Sequence, residues 1–411
     1  MKKLLVLATV LLASSAYAGG YRVSAQGNKQ LAMGHTGVAV ISSAETMFFN
    51  PAGMSFIDGK LNVSLGASAV FSKVAYQNAD LGTSFRTDNP VGTPLYVYAS
   101  YKINDWLSAG LAVYTPYGSS VEWPLDWAGS HLVNNIELSA IFIQPTVSVK
   151  LNDRLSIGGG PIYVSGAVNF NRNLGRTLSD TDGNRTNVTI DASGVSAWGY
   201  NLGLMFRPSG KLTVGFNYRS EILVEAKDGE ADFENVPSAL PGDFSDTTFD
   251  ATLPLPAELT VGLSYTVSDK WLLAFDFNRA FWDVYESLDV QFNNSAGLSV
   301  NPRNYKNSST YRFGVEHTAN EKFMLRGGFY FDESPVQDGF FAPETPRNDS
   351  VGFTGGVTIN VNNKFAIDVS FLYLRFDEID NSYDFFSDGS SFAGTYKSNA
   401  FIPGIGVSYQ L

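Results

Sequence analysis

The 411-residue chain contains no cysteine, which removes disulfides, thiolate metal sites and cysteine nucleophiles from consideration. Imidazole is scarce: His35, His131 and His317 are the whole supply, too few and too scattered to suggest general-base chemistry. Positive charge is also short, with 28 Lys and Arg against 40 Asp and Glu and a net charge of -12. That balance excludes nucleic acid as a partner, because its phosphate backbone demands a basic surface. Beyond the N-terminus no run of about 18 consecutive apolar residues occurs, which excludes a helical inner-membrane protein. What the chain has is 14% aromatic residues beside 39 glycines and 17 prolines. Rings for outer girdles and glycines for close internal approach suit a membrane β-barrel.

The first 18 residues read as a cleaved export signal. Lys2 and Lys3 supply the charged start, Leu4 to Ala13 the apolar stretch, and Ala16-Tyr17-Ala18 the small-residue cleavage pattern. The apolar part is about half the roughly 20 residues that a membrane span needs. The mature chain is expected to begin at Gly19.

Six short turn signals then recur: Ile103-Asn104-Asp105, Leu151-Asn152-Asp153, Arg207-Pro208-Ser209-Gly210, Val267-Ser268-Asp269, Ala319-Asn320-Glu321 and Val361-Asn362-Asn363. Each precedes an alternating apolar run, as a tight hairpin should. Six hairpins supply twelve strands, and one strand at each end makes fourteen. The strands predicted are 60–76, 92–102, 106–116, 136–150, 154–170, 193–207, 211–226, 252–267, 271–290, 305–318, 322–333, 349–361, 364–378 and 398–411. They exceed the 5 to 6 residues usual in a soluble sandwich. Long connections at the other end give the asymmetry of an outer-membrane barrel with its short turns in the periplasm. The prediction is an all-β, 14-stranded antiparallel transmembrane β-barrel, residues 60–411, in the outer membrane of a Gram-negative bacterium.

An even strand number leaves both barrel ends in the periplasm, so residues 19–59 sit below the lumen and are predicted to plug it as a hatch. Within it, Phe49-Asn50-Pro51-Ala52-Gly53 combines a fixed φ at Pro, a permissive Gly and an Asn able to bond local backbone. An ordinary turn and a gating element remain compatible readings. Inward-facing positions include Asp276, Asn278, Arg312, Glu316, Arg326 and Asp368, yet Tyr96, Tyr98, Leu372, Leu374 and Phe376 share that face. A water channel would not want the second group; a path for greasy molecules would.

Several motifs in fixed order now identify a likeness. They are Gly34-His35-Thr36-Gly37-Val38-Ala39-Val40 followed by Phe49 to Gly53; Tyr114-Thr115-Pro116-Tyr117-Gly118; Leu253-Pro254-Leu255-Pro256-Ala257-Glu258-Leu259; Tyr311-Arg312-Phe313-Gly314-Val315-Glu316; Leu325-Arg326-Gly327-Gly328-Phe329; Asp332-Glu333-Ser334-Pro335-Val336; and Thr345-Pro346-Arg347-Asn348-Asp349-Ser350. With these the chain resembles the FadL/TodX-like outer-membrane transporters of long-chain fatty acids or aromatic hydrocarbons. The resemblance implies a plugged fourteen-stranded barrel that takes a hydrophobic ligand from its outer loops to a luminal pocket. It also implies sideways release into the membrane at a kink in the third strand, for which Tyr114, Pro116 and Gly118 are the candidates. The chain departs from the outer-membrane pattern of a terminal Phe by ending on Leu411.

Trp123, Leu125, Trp127 and Leu132, with Phe385 and Phe386 of the last loop, form a candidate surface for ligand capture, since exposed apolar clusters usually mean binding. Packing of the loop on the rim is the competing account. Arg312, Arg326 and Lys306 are candidate partners for a fatty-acid carboxylate, against the alternative that they pair with Glu316 or hatch groups. Asp180, Asp182, Asn184 and Asp191 mimic a calcium-loop spacing, but Arg185 stands where Gly is required, so turn chemistry is expected, with no metal and no cofactor. The acidic loop running from Asp228 to Asp250 reads as a solvated face or one bridged to lipopolysaccharide by divalent ions. Outer-membrane lipid and lipopolysaccharide are thus expected surroundings of a monomer that is not an enzyme. Uptake of fatty acids by passive diffusion is the expected function; the alternatives are aromatic hydrocarbon uptake and a general polar-solute porin.

Overall fold

The structure is a computed structural model and describes residues 21–240, 242, 244–386 and 389–411; the export signal lies outside the described residues. Fourteen antiparallel strands close into a barrel with the N-terminal region in the lumen. The strands in order are Leu61–Ser68 continued by Phe71–Asn78; Ser84–Arg86 continued by Leu95–Lys102; Leu107–Glu122; Asn135–Asn152; Leu155–Asn173; Asn187–Phe206; and Leu212–Arg219 continued by Ile222–Glu234. The second half comprises Thr247–Leu255 continued by Glu258–Ser268; Trp271–Ala280 reaching Val290–Phe292; Leu298–Ser299 with Ser308–Thr318; Phe323–Asp332; Ser350–Asn360; Phe365–Phe376 with Ile379–Tyr383; and Phe392–Gln410. The last strand pairs with the first from Asn62↔Gln410 to Ser68↔Gly404, which closes the cylinder.

All six predicted turns form, and they share one device. A side-chain oxygen of Asn104, Asn152, Ser209, Ser268, Asn320 or Asn362 accepts a backbone N–H two residues on, fixing the reversal locally. The outer ends differ from expectation, because many strands continue upward as hairpins above the barrel wall. The third runs to Glu122 rather than ending at Pro116, and the sixth starts at Asn187 rather than 193.

The hatch is buried over residues 21–40 and 43–55, and its end at Asp58 and Gly59 is exposed. Short helical turns at Asn28–Leu31, Thr46–Phe49 and Pro51–Phe56 are packed against the inner wall. Glycines on the inward face of many strands let the wall approach so closely. An added methyl at Gly203 would overlap Asn50 and Pro51, at Gly158 the Pro51 and Ala52 backbone, and at Gly314 or Gly328 the Met33 backbone. Gly34 has φ +66°, a left-handed conformation that favours glycine. Asn28 spans the closing seam: its Oδ1 accepts from Ser370 Oγ at 2.6 Å, while its backbone N–H and amide Nδ2 contact Tyr96 Oη at 3.1 and 3.0 Å.

Candidate functional site

Asn50 anchors the hatch as its residue type suggests. Nδ2 donates to the carbonyls of Val38 at 2.8 Å and Leu204 at 3.1 Å, and Oδ1 accepts the Ala52 N–H at 3.1 Å, capping the turn that Pro51 opens. Phe49 stacks edge-on to His35 and Phe48, and Gly53 leaves room for Thr46 and Met205. Other hatch groups are tied to the wall by charge. Arg22 bridges Glu258 at 3.1 Å and Asp332 at 3.2 Å, and Asp276 accepts the Gly37 and Val38 N–H groups at 2.7 and 3.1 Å.

Above the hatch lies an apolar cavity built by the inner faces of the fourth to ninth strands, with Leu138, Val164, Ile190, Val224, Phe249 and Phe292 among its lining. Tyr21 and Tyr117 belong to the same wall, and Arg172, Arg303, Asn301 and Glu344 form its polar part. Arg303 is ion-paired with Glu344. Arg172, near the outer end of the fifth strand, instead meets neutral partners, Ser299 Oγ at 2.9 Å and Asn301 Oδ1 at 3.5 Å. No ion pair to Arg172 exists among the described residues.

The third strand breaks register between Tyr114 and Tyr117, so Thr115 and Pro116 bulge. Its pairing with the second strand stops at Tyr96↔Tyr114. Beyond that point the hatch substitutes: Val23 N–H donates to the Pro116 carbonyl at 2.8 Å, Gly118 N–H to the Tyr21 carbonyl at 2.9 Å, and Arg22 faces Tyr117.

Apart from Lys306, the luminal residues picked from sequence are inward but sit outside the cavity lining. Tyr96 and Tyr98 hydroxyls hold the hatch, through Glu45 Oε1 at 2.9 Å and the Gln26 carbonyl at 3.3 Å. Leu372, Leu374 and Phe376 pack with Leu31 and the outer loop on the opposite side. Arg326 pairs with Glu316 at 2.7 Å, and Arg312 lies buried beside a small polar space with Arg22 and Arg219. Lys306 was expected above them in the lumen; it is exposed, because its backbone follows the neighbouring loop to bond the Pro335 carbonyl.

Trp123 and Trp127 were expected to face water. They are buried, stacked at 4.1 Å with planes 9° apart and covered by Tyr76 and Phe392. Leu125 at 80% and Phe385 at 42% exposure remain on the surface, Phe386 packs on His131, and Leu132 lines the cavity. Asp180 accepts the Asp182 and Asn184 N–H groups, the local turn expected of the calcium-like stretch. Sequence reasoning missed Arg172 and Arg303; their signal would have been a cation at the end of an otherwise apolar inward face.

The comparisons agree with this geometry. The "Putative outer membrane protein NMB0088" of Neisseria meningitidis serogroup B is 26% identical, over 100% of this chain and 98% of its own. The "Long-chain fatty acid transport protein" of Escherichia coli K12 is 21% identical over 97% and 98%. Among solved structures, a Pseudomonas aeruginosa FadL homologue superposes with a TM-score of 0.82 at 18% identity, covering 96% of this chain and 100% of that one. The P. putida toluene transporter TodX does so with 0.75 at 17%, covering 93% and 97%. The profile of the outer membrane protein transport proteins (OMPP1/FadL/TodX) matches residues 9–411, and the chain belongs to that family.

Proposed function

We propose that this transporter takes up long-chain fatty acids, holding the acyl tail in the apolar cavity and the carboxylate at Arg172. The chain is a plugged outer-membrane barrel for hydrophobic small molecules, and not an enzyme. The hatch occupies the bore that a polar-solute porin would need open. The observation that carries the fatty-acid reading is a guanidinium without a carboxylate partner at the edge of an apolar cavity. A charge-assisted bond to a cargo carboxylate would satisfy it. Cargo leaves sideways at the bulge around Pro116, where the hatch rather than the second strand covers the third, and the protein acts as a monomer without an energy source. Leu125 and Phe385 offer the first apolar contact outside.

Aromatic hydrocarbons are a second reading, favoured by the rings of Phe170, Phe249, Phe292 and Tyr285 in the cavity wall. Binding of a long-chain fatty acid and of toluene to wild type and to Arg172→Leu separates the two. The substitution is expected to weaken fatty-acid binding by about 10-fold or more, the value of one charged hydrogen bond, and to leave toluene unaffected. Unchanged fatty-acid binding would remove the carboxylate from the account.

A further inference from the structure

Four cations gather on the outer surface where the barrel closes, in a chain whose acidic residues outnumber its basic ones by 40 to 28. The strand register places them. Lys73 on the first strand and Arg375 on the thirteenth both pair with Asn399 of the last strand, forming one row across three strands. One row further out, Ala75 pairs with both Lys397 and Arg86, adding two more cations on the same face. All four are exposed. Adjacent strands lie about 4.8 Å apart and alternate residues on a strand about 6.7 Å apart, so four long side chains can reach one shared point.

The row immediately towards the membrane fixes the height of this patch. It consists of Phe71, Phe401 and Tyr373, paired across the same three strands and 50, 46 and 44% exposed. Such a ring row marks the boundary between hydrocarbon and headgroups, and the cations stand just beyond it, on the side of the long loops. Lys397 contacts Glu378 at 3.0 Å, a solvent-exposed pair of little worth. No ion pair involves Lys73, Arg86 or Arg375 among the described residues. Asp377, Glu378 and Asp380 are exposed at the end of the thirteenth strand beside the four cations, whereas on the sixth to eighth strands Asp191, Glu225, Glu230, Glu234 and Asp250 are exposed with only Lys227, engaged by Glu225, among them.

The geometry points to a binding site for the phosphates of lipid A, formed by Lys73, Arg86, Arg375 and Lys397 on the lipid-facing side of the closing seam. Acyl chains would lie against Phe71, Phe401 and Tyr373, and the phosphate oxygens would accept charge-assisted bonds from the ammonium and guanidinium groups. Asn399, between Lys73 and Arg375, adds an amide donor. The site is independent of the cargo, since it lies on the opposite face of the wall from the cavity.

The test is to extract the full-length protein from outer membranes in mild detergent and count lipopolysaccharide molecules per barrel by native mass spectrometry. The variant Lys73→Gln, Arg86→Gln, Arg375→Gln, Lys397→Gln is compared with a control of equal charge change at the periplasmic turns, Lys211→Gln, Lys270→Gln, Lys322→Gln, Lys364→Gln. Bound lipopolysaccharide is expected to fall about 10-fold or more in the first and to stay at the wild-type level in the second. In a parallel arm, wild-type protein stripped of lipid is offered lipid A, dephosphorylated lipid A or phosphatidylglycerol; only the first is expected to bind tightly. Retention by the first variant, equal loss in both variants, or equal binding of dephosphorylated lipid A or phosphatidylglycerol overturns the proposal. Should the quadruple variant not fold, the wild-type arm decides the matter alone.

Discussion

Tyr21 of the hatch and Tyr117 of the third strand meet with ring centroids 5.9 Å apart, and both rings line the apolar cavity. Their backbones are joined too, since the hatch pairs with the third strand on either side of Tyr117, at Pro116 and Gly118. The cavity wall and the interrupted edge of the barrel are therefore one structure. Deleting Pro116 removes the extra residue and restores a regular ladder. Uptake of labelled fatty acid by cells is expected to drop at least about 10-fold, equivalent to about 1.4 kcal/mol on the barrier, while binding to purified protein is kept. Loss of both together, or of neither, would contradict sideways release.

Asn50→Ala should loosen the hatch without emptying the barrel. Three hydrogen bonds disappear, and the Val38 carbonyl loses a buried donor. The cost is about 2 to 3 kcal/mol, read as a lower thermal midpoint in detergent. Gly203→Val is the harsher change, because the side chain would occupy the space of Asn50 and Pro51. Overpacking of this kind costs about 1 to 3 kcal/mol or displaces the segment, and displacement appears as steady conductance in planar bilayers. A silent, fully stable Gly203→Val protein would show that the hatch is not seated as described.

The outer loop separates structure from capture. Trp123→Ala removes a buried ring stacked on Trp127 and is expected to cost about 3 to 5 kcal/mol, seen as protease sensitivity of the loop. Leu125→Ala removes an exposed side chain and is expected to alter stability by less than about 0.5 kcal/mol, while slowing ligand uptake at low concentration. Equal effects of the two substitutions on uptake alone would place both residues on the surface.

His131 gives that loop a pH dependence. It is buried against Phe386 and Phe392, and burial, with Arg176 and Arg172 nearby, lowers its pKa from 6.5 to about 4. A histidine held neutral in the folded loop contributes fully above its unfolded value of about 6.5. Its contribution is lost as pH falls from there towards 4, because the unfolded loop takes the proton first. The loss is on the order of 3 kcal/mol. Proteolysis of the loop should therefore rise as pH is lowered through this window in wild type, and rise far less in His131→Phe.

Much of the barrel could be read from the chain because its turns are local. An Asn or Ser three residues before a strand captures the N–H groups that reverse the backbone, and the alternation that follows needs nothing distant. The hatch was legible for a topological reason, the even strand count. The outer strand ends were not, since Asn187 to Ala192 pair with partners in other loops and carry no local signal of their own. Nor could sequence tell which inward residues meet cargo and which meet the hatch. Tyr96 and Tyr98 look identical to cavity residues until Glu45 and Gln26 are placed beside them. The glycines could be read from composition as serving close internal approach, but which of them face the hatch could not, because the space they leave for another segment's backbone carries no side chain to recognise.

Asn28 gives the closing of the cylinder an order. Its partners Ser370 and Tyr96 stand on strands to either side of the joint between first and last, and without it their buried hydroxyls lose a hydrogen bond. The final zippering step thus gains these added contacts, beyond its own backbone ladder, only when the hatch already occupies the interior, coupling the end of assembly to the placing of the N-terminal segment.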